Sequence, residues 1–143
     1  MKKIGEYTIR GDTPDNGVKR IILFDGRFDT GYVVTSFHIF PRDPTTGSSD
    51  SFGCLATEEE AATSNWVASD NRQIGWATSN MHGYGADQPS TLLDPDNLIV
   101  EDLYVYGNDA AGNPVNYIIT MEKYEFTDWR GALAMVRNSA QNV

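Results

Sequence analysis

Asn97-Leu98-Ile99-Val100-Glu101-Asp102-Leu103-Tyr104-Val105-Tyr106, then Gly107-Asn108-Asp109-Ala110-Ala111-Gly112-Asn113, then Pro114-Val115-Asn116-Tyr117-Ile118-Ile119-Thr120-Met121-Glu122-Lys123-Tyr124-Glu125-Phe126 is the stretch whose reading decides the fold. Its flanks are rich in β-branched and aromatic residues and similar in length, and its centre holds two Gly and two Asn. That pattern predicts an antiparallel hairpin. Thr127 or Asp128 then offers an N-cap, and Trp129, Ala132, Leu133 and Val136 recur at i, i+3, i+4 and i+7, the spacing of a short helix over 128–141. Gly131 lowers its propensity by about 1 kcal/mol relative to Ala, and an isolated helix of this length is marginal in water. The Trp129 face therefore needs a surface to dock on.

Upstream, the same two-residue logic applies. Residues 2–10, with Ile4, Tyr7 and Ile9 among polar neighbours, read as an edge strand, and 11–17 are dense in turn formers. Residues 18–24 read as a strand by length and composition, followed by a turn at Asp25-Gly26. In 31–40, Val33, Thr35, Phe37 and Ile39 share one parity and form the expected core face. Pro41 should end that strand because it lacks the N–H a ladder needs. Residues 42–51 read as an exposed loop and 52–56 as a short strand. Thr57 before Glu58-Glu59-Glu60 is a candidate N-cap for a loop or single turn. Residues 65–68 and 73–79 read as two strands around a turn. Residues 80–96 form a 17-residue connection, long enough to be functional or to cross between sheets.

Seven or eight strands spaced by turns, with no internal repeat and no alternating βα pattern, point to an all-β fold. The expectation is a single domain over 1–143: an antiparallel β-sandwich, jelly-roll-like, with one short C-terminal α-helix. A chain of 143 residues is long enough to bury roughly two thirds of its unfolded surface without staples. The single cysteine, Cys54, excludes an internal disulfide and reads as a small buried apolar residue. Lys2-Lys3 precede no apolar run, so a cleaved signal peptide is not expected. The longest apolar run, Ala132 to Val136, is five residues, against the roughly 20 of a spanning helix, so no membrane partner is expected.

Eleven basic against twenty acidic residues give a net charge of −9, unevenly spread. Residues 1–42 balance at +2, 43–113 at −11 with Arg72 their one basic residue, and 114–143 at zero. Such a field repels phosphate backbones and argues against nucleic acid as a direct partner. The acidic middle suits a solvated outer face.

Few residues invite chemistry. His38 lies within a strand and His82 in Met81-His82-Gly83-Tyr84-Gly85, with no nucleophile elbow or His-x-x-His spacing near either. Asp94-Pro95-Asp96-Asn97 alternates oxygen donors but lacks the Gly and closing Glu of a calcium loop, so an Asx turn is the simpler reading. Glu101 and Asp102 are strand neighbours and point to opposite faces, unlike a glycosidase pair. Glu58, Glu59 and Glu60 read as a solvated run, and Gly83-Tyr84-Gly85 lacks the Lys of a phosphate loop. No catalytic residue, cofactor site or metal site is expected. Trp66, Trp76, Tyr84, Tyr104 and Tyr106 are candidates for a sugar-stacking platform, with core or half-buried sheet positions as the competing reading.

The run from Asp94 to Val105, then Val115 to Tyr124, then Ala132 to Val143 resembles small virion structural proteins of marine bacterial viruses. In these, a segment reading Asp-Pro-x-Asn-hydrophobic leads to Asp-hydrophobic-Tyr, then to Asn-Tyr-hydrophobic-hydrophobic and a short helix. The resemblance covers about 45 residues and carries no functional residues over. It implies a non-enzymatic capsid, decoration or spike subunit that self-assembles or binds other virion proteins, located in the virion and assembled in the host cytoplasm. On that reading Trp129, Leu133 and Val136 are candidate interface residues. The alternative is a carbohydrate-binding β-sandwich module using the loop aromatics, with calcium at Asp94 and Asp96. A small hydrolase would need a convergent acid or His pair that the sequence does not display.

Overall fold

The computed structural model describes residues 2–27, 29–45, 49–82, 85–86 and 90–126. Among them are strands β1 (Lys2–Thr13), β2 (Gly17–Ile21), β3 (Thr30–Pro41), β4 (Ser49–Ala56), β5 (Gln73–His82), β6 (Gly85–Ala86), β7 (Ser90–Leu93), β8 (Leu103–Asp109) and β9 (Val115–Glu125). One 3-10 turn, Glu59–Ala61, follows β4. The chain is all-β, with two antiparallel sheets. The smaller runs β1-β9-β3; the larger runs β2-β8-β4-β5, with β6 and β7 both paired to β5. The candidate C-terminal helix, with Trp129, Leu133 and Val136, lies outside the described residues.

Both sheets turn one face to a shared core. β9 alternates buried Val115, Tyr117, Ile119 and Met121 with half-buried residues between them, the period of a strand with one face covered. Phe37 and Ile39 of β3 join them from the small sheet; Leu55, Ala77, Leu103 and Val105 meet them from the large one. Burying each large aliphatic or aromatic side chain here contributes about 1.5–3 kcal/mol.

The hairpin expected over 97–126 does not form. β8 pairs with β2 and β4, while β9 lies between β1 and β3 in the other sheet. Two alternating strands joined by a turn-rich link can pair side by side or face one another across a core, and their periodicity is the same in both cases. Here the link arches between sheets. Gly112 takes φ +80, and the buried Asp109 carboxylate accepts the Ser51 hydroxyl (3.1 Å) and the Asn113 N–H (3.1 Å). Residues 97–102 are not part of β8. Their Ile99 pairs instead with Tyr32 of β3 through N–H···O bonds of 2.8 Å in both directions.

β3 departs from a single core parity. Its pairing with β9 shifts between Val34 and Ser36, so Val34 is buried and Thr35 exposed before Phe37 and Ile39 return to the core. A bulge of this kind inserts one residue and inverts the facing pattern beyond it. β1 runs to Thr13 and β4 begins at Ser49, so both extend into stretches that read as loops. β2 ends at Ile21, before the apolar residues 22–24. The 80–96 connection contains β6 and β7, which fold back on β5. Residues 65–68 are not a strand, because the Gln73 side chain takes their backbone hydrogen bonds. The 3-10 turn is N-capped by Glu58 without a side-chain bond, not by Thr57.

Three glycines lie in register across the large sheet: Gly17 opposite Gly107, and Gly107 opposite Gly53. A Cβ on Gly107 would sit 2.4 Å from Thr13 Oγ1 and 3.0 Å from Val115 Cβ. The missing side chain of Gly107 lets the two sheets approach where β1 ends and β9 begins.

Candidate functional site

The strongest local arrangement is on the outer face of the large sheet. On β4 the residues facing away from the shared core are Phe52, Cys54 and Ala56, and their cross-strand partners include Trp76, Tyr104 and Tyr106. Cys54, Ala56 and Tyr106 pack with Ala61 and Ala62 of the overlying loop into a second small core, flanked by Phe52, Trp76 and Tyr104. Burial pushes the Cys54 thiol up to about 12, so it stays protonated and unreactive near neutrality.

One side chain organises that loop. Gln73 is buried and uses its whole amide: Nε2 donates to Ala61 O (3.0 Å) and Asn65 O (2.8 Å), and Oε1 accepts Val67 N–H (2.8 Å) and Trp76 Nε1–H (3.0 Å). Asp70, also buried, accepts the Arg72 N–H and guanidinium at 2.7–3.0 Å, and Arg72 holds its carboxyl below the usual range. The Asp70 backbone bonds back to Val67 and forward to Gln73. A loop tied at this many points presents its side chains in fixed positions.

What it presents is Trp66, 43 % exposed. The indole stands edge-on to Phe52, with ring centroids 6.1 Å apart, and Phe52 in turn leans on Tyr106 at 6.2 Å. Phe52, Ser64, Asn65, Trp66 and Val67 line a shallow cleft of about 580 Å³. A second cleft, about 530 Å³, lies on the small sheet between Arg10, Asp12, Phe40 and Asn116.

Of the candidate platform residues, the structure brings Trp66, Trp76, Tyr104 and Tyr106 to one face, but only Trp66 enters the cleft. Trp76 is held through its N–H by Gln73, and Tyr106 donates its hydroxyl to Asn16, a residue with φ 55. Tyr84 lies outside the described residues. Phe52 and Gln73 carry the arrangement without having stood out in the sequence. A Phe in a short apolar run and a Gln at a strand start give no local signal of either role.

The other candidates serve the framework. His38 is exposed on β3 opposite Ile118. Asp94 Oδ1 accepts the Asp96 N–H at 2.9 Å, and Asp94 O accepts the Asn97 N–H at 3.3 Å, which is an Asx turn. Asp102 pairs with Arg20, Glu101 is exposed, and Glu58 lies 3.6 Å from Arg72. No group of three or more His, Cys, Asp or Glu side chains able to hold a metal ion occurs among the described residues. No helix among them is long and apolar enough to cross a membrane.

No protein-family model matches the chain, and no curated protein matches it.

Proposed function

We propose that the chain is a self-associating, non-enzymatic structural subunit of a bacterial virus particle, built as a jelly-roll β-sandwich. The observation that carries the reading is the nested strand pairing. β4 pairs with β5, β2 with β8 and β1 with β9, and β3 and β7 approach each other between those pairs. A long antiparallel ribbon rolled onto itself yields this order, with successive pairs passing alternately to one sheet and the other. β7 departs from the scheme by taking its ladder from β5. Jelly rolls recur in viral capsid and lectin domains, and a fold alone does not choose between them.

The resemblance of 94–105 and 115–124 to virion proteins favours the structural reading. So does the use of the buried polar groups: Gln73 and Asn97 tie backbone to backbone, and Asp70 and Asp109 each hold a backbone N–H and a neighbouring side chain. The acidic middle, residues 43–113, suits the outer face of a particle rather than a nucleic-acid contact. The subunit would then reside in the virion after assembly in the host cytoplasm. Light scattering on the purified chain at high concentration tests this. A discrete oligomer is expected, and a monomer throughout removes the assembly reading.

The Phe52–Trp66 cleft favours a second reading, a carbohydrate-binding module. An exposed indole beside the Ser64 and Asn65 side chains matches the apolar and polar faces of a pyranose. A glycan array decides it: binding lost in Trp66→Ala supports the module, and an empty array excludes it.

A further inference from the structure

Among the described residues the sheet edges are guarded to different degrees. β2, β6 and β7 are only five, two and four residues long, and short edges are poor templates. The open side of β3 is covered at Tyr32 by Ile99 and at Val34 by the Asn97 side chain. β1 is different. It stands at the end of the small sheet, twelve residues long, with nine of them exposed. Its beginning carries the usual guards, Lys2 and Lys3 and a register irregularity between Lys3 and Gly5. Residues 6–12 carry neither proline nor lysine.

Those residues are self-complementary. Set antiparallel to itself about Thr8, β1 places Glu6 opposite Arg10 and Tyr7 opposite Ile9, each twice by symmetry, with Thr8 opposite Thr8. Glu6, Thr8 and Arg10 share one face of the strand and Tyr7 and Ile9 the other. Both charged contacts are therefore attractive, and both apolar contacts are aromatic against β-branched. Glu6 is 70 % exposed and uses Oε1 for Lys3, which leaves Oε2. Arg10 makes no ion pair among the described residues and lines the open cleft of the small sheet. Tyr7 is 49 % exposed and would lose that surface to the partner's Ile9.

We propose that β1 pairs antiparallel with β1 of a second copy, in the register centred on Thr8, joining two small sheets into one six-stranded sheet around a two-fold axis. This names the surface for the self-association proposed above and rests on that reading for the association itself.

Charge reversal in the full-length chain tests the register. Glu6→Arg and Arg10→Glu each set two like-charge contacts in the pair and should weaken the dimer on the order of tenfold or more, with the β-rich circular dichroism unchanged. Mixed in equal amounts, the two variants should form a heterodimer, because each Arg then faces a Glu. Thr8→Cys should give a covalent dimer on mild oxidation, since the fully buried Cys54 does not compete. A monomeric wild type overturns both this pairing and the assembly reading. A wild type that associates while both reversed variants associate equally well overturns the pairing alone. Occupation of the edge by another segment of the same chain would appear as a Thr8→Cys thiol that never cross-links, which also overturns it.

Discussion

The Asn97 side chain stands in for a missing strand against Val34: its Oδ1 accepts the Val34 N–H at 2.8 Å, and its Nδ2 donates to the Val34 carbonyl at 3.2 Å. Nδ2 also donates to Asp94 O at 2.7 Å. One amide thus satisfies both backbone groups of the residue where β3 bulges, and fastens the 94–97 turn to it. Without it, Val34 would bury an unpaired N–H and C=O.

Asn97→Ala should therefore cost about 1–3 kcal/mol, the penalty for stranding buried polar groups. Asn97→Asp keeps the acceptor but loses both donors, so it should also destabilise. Chemical denaturation gives the magnitude, and amide exchange at Val34 gives the location. If Val34 exchanges no faster in Asn97→Ala than in the wild type, the amide is not what protects the bulge.

Gly107 and Thr13 make a second local pair. A Cβ at 107 would meet Thr13 Oγ1 at 2.4 Å, and that hydroxyl is buried without a hydrogen-bond partner. Gly107→Ala should destabilise by about 1–3 kcal/mol through overpacking. Thr13→Ala removes the obstructing atom and costs little by itself. The double variant should recover much of the loss, a coupling that a double-mutant cycle measures directly. Additive effects would mean that Val115, 3.0 Å from the same Cβ, sets the limit instead.

These two pairs show where local sequence stopped being informative. The all-β character was legible because β-branched and aromatic runs between turn formers constrain each segment by itself. β1, β3 and β9 were found nearly whole, and the 94–97 Asx turn was read from its oxygen spacing. Which strands pair was not legible. The 103–109 and 115–125 segments alternate identically whether they form a hairpin or face each other across a core. The β3 bulge depends on Asn97, some sixty residues away, so no window containing Thr35 reveals that it turns outward. Trp66-Val67 has strand composition, yet Gln73 holds those residues as a loop. At the candidate site, Trp66, Trp76, Tyr104 and Tyr106 stood out as aromatics in the sequence, but the cleft needs Phe52 beside Trp66, a pairing set by the loop's anchorage.

Asp25 should govern part of the acid response. The Lys123 ammonium, 2.8 Å away, holds its carboxyl down at about 2, helped by the Thr30 hydroxyl and the Arg27 N–H. The folded value lies below the ordinary 3.8, so the stabilisation is fully present above about pH 4. It is lost as pH falls from there toward 2. Lys123 also sits 5.3 Å from the centre of the Tyr32 ring, so protonating Asp25 loosens a contact between β3 and β9. Asp25→Asn should lower stability at neutral pH modestly, as expected for a partly exposed pair, and flatten the acid limb between pH 4 and 2. An unchanged limb would place the acid sensitivity on other carboxylates.

Gln73 offers the most direct test of the candidate site. Its four hydrogen bonds join the strand start to Ala61, Asn65, Val67 and Trp76. Gln73→Leu preserves much of the volume but leaves two carbonyls, one N–H and one indole N–H without partners. The cost should be about 1–3 kcal/mol, beyond any effect of size. Because 61–67 lie outside the sheets, the loss should be local first: faster amide exchange at Val67 and a change in tryptophan emission, with the strand amides of β4 and β8 still protected. Gln73→Glu separates the contributions. It keeps the acceptor for Val67 and Trp76 but sets a carboxylate oxygen against Ala61 O and Asn65 O, and so should open the loop as pH rises through the carboxyl's titration. A glycan-binding cleft would lose affinity in both variants along with loop protection. A purely structural loop would lose protection while oligomer size stays the same.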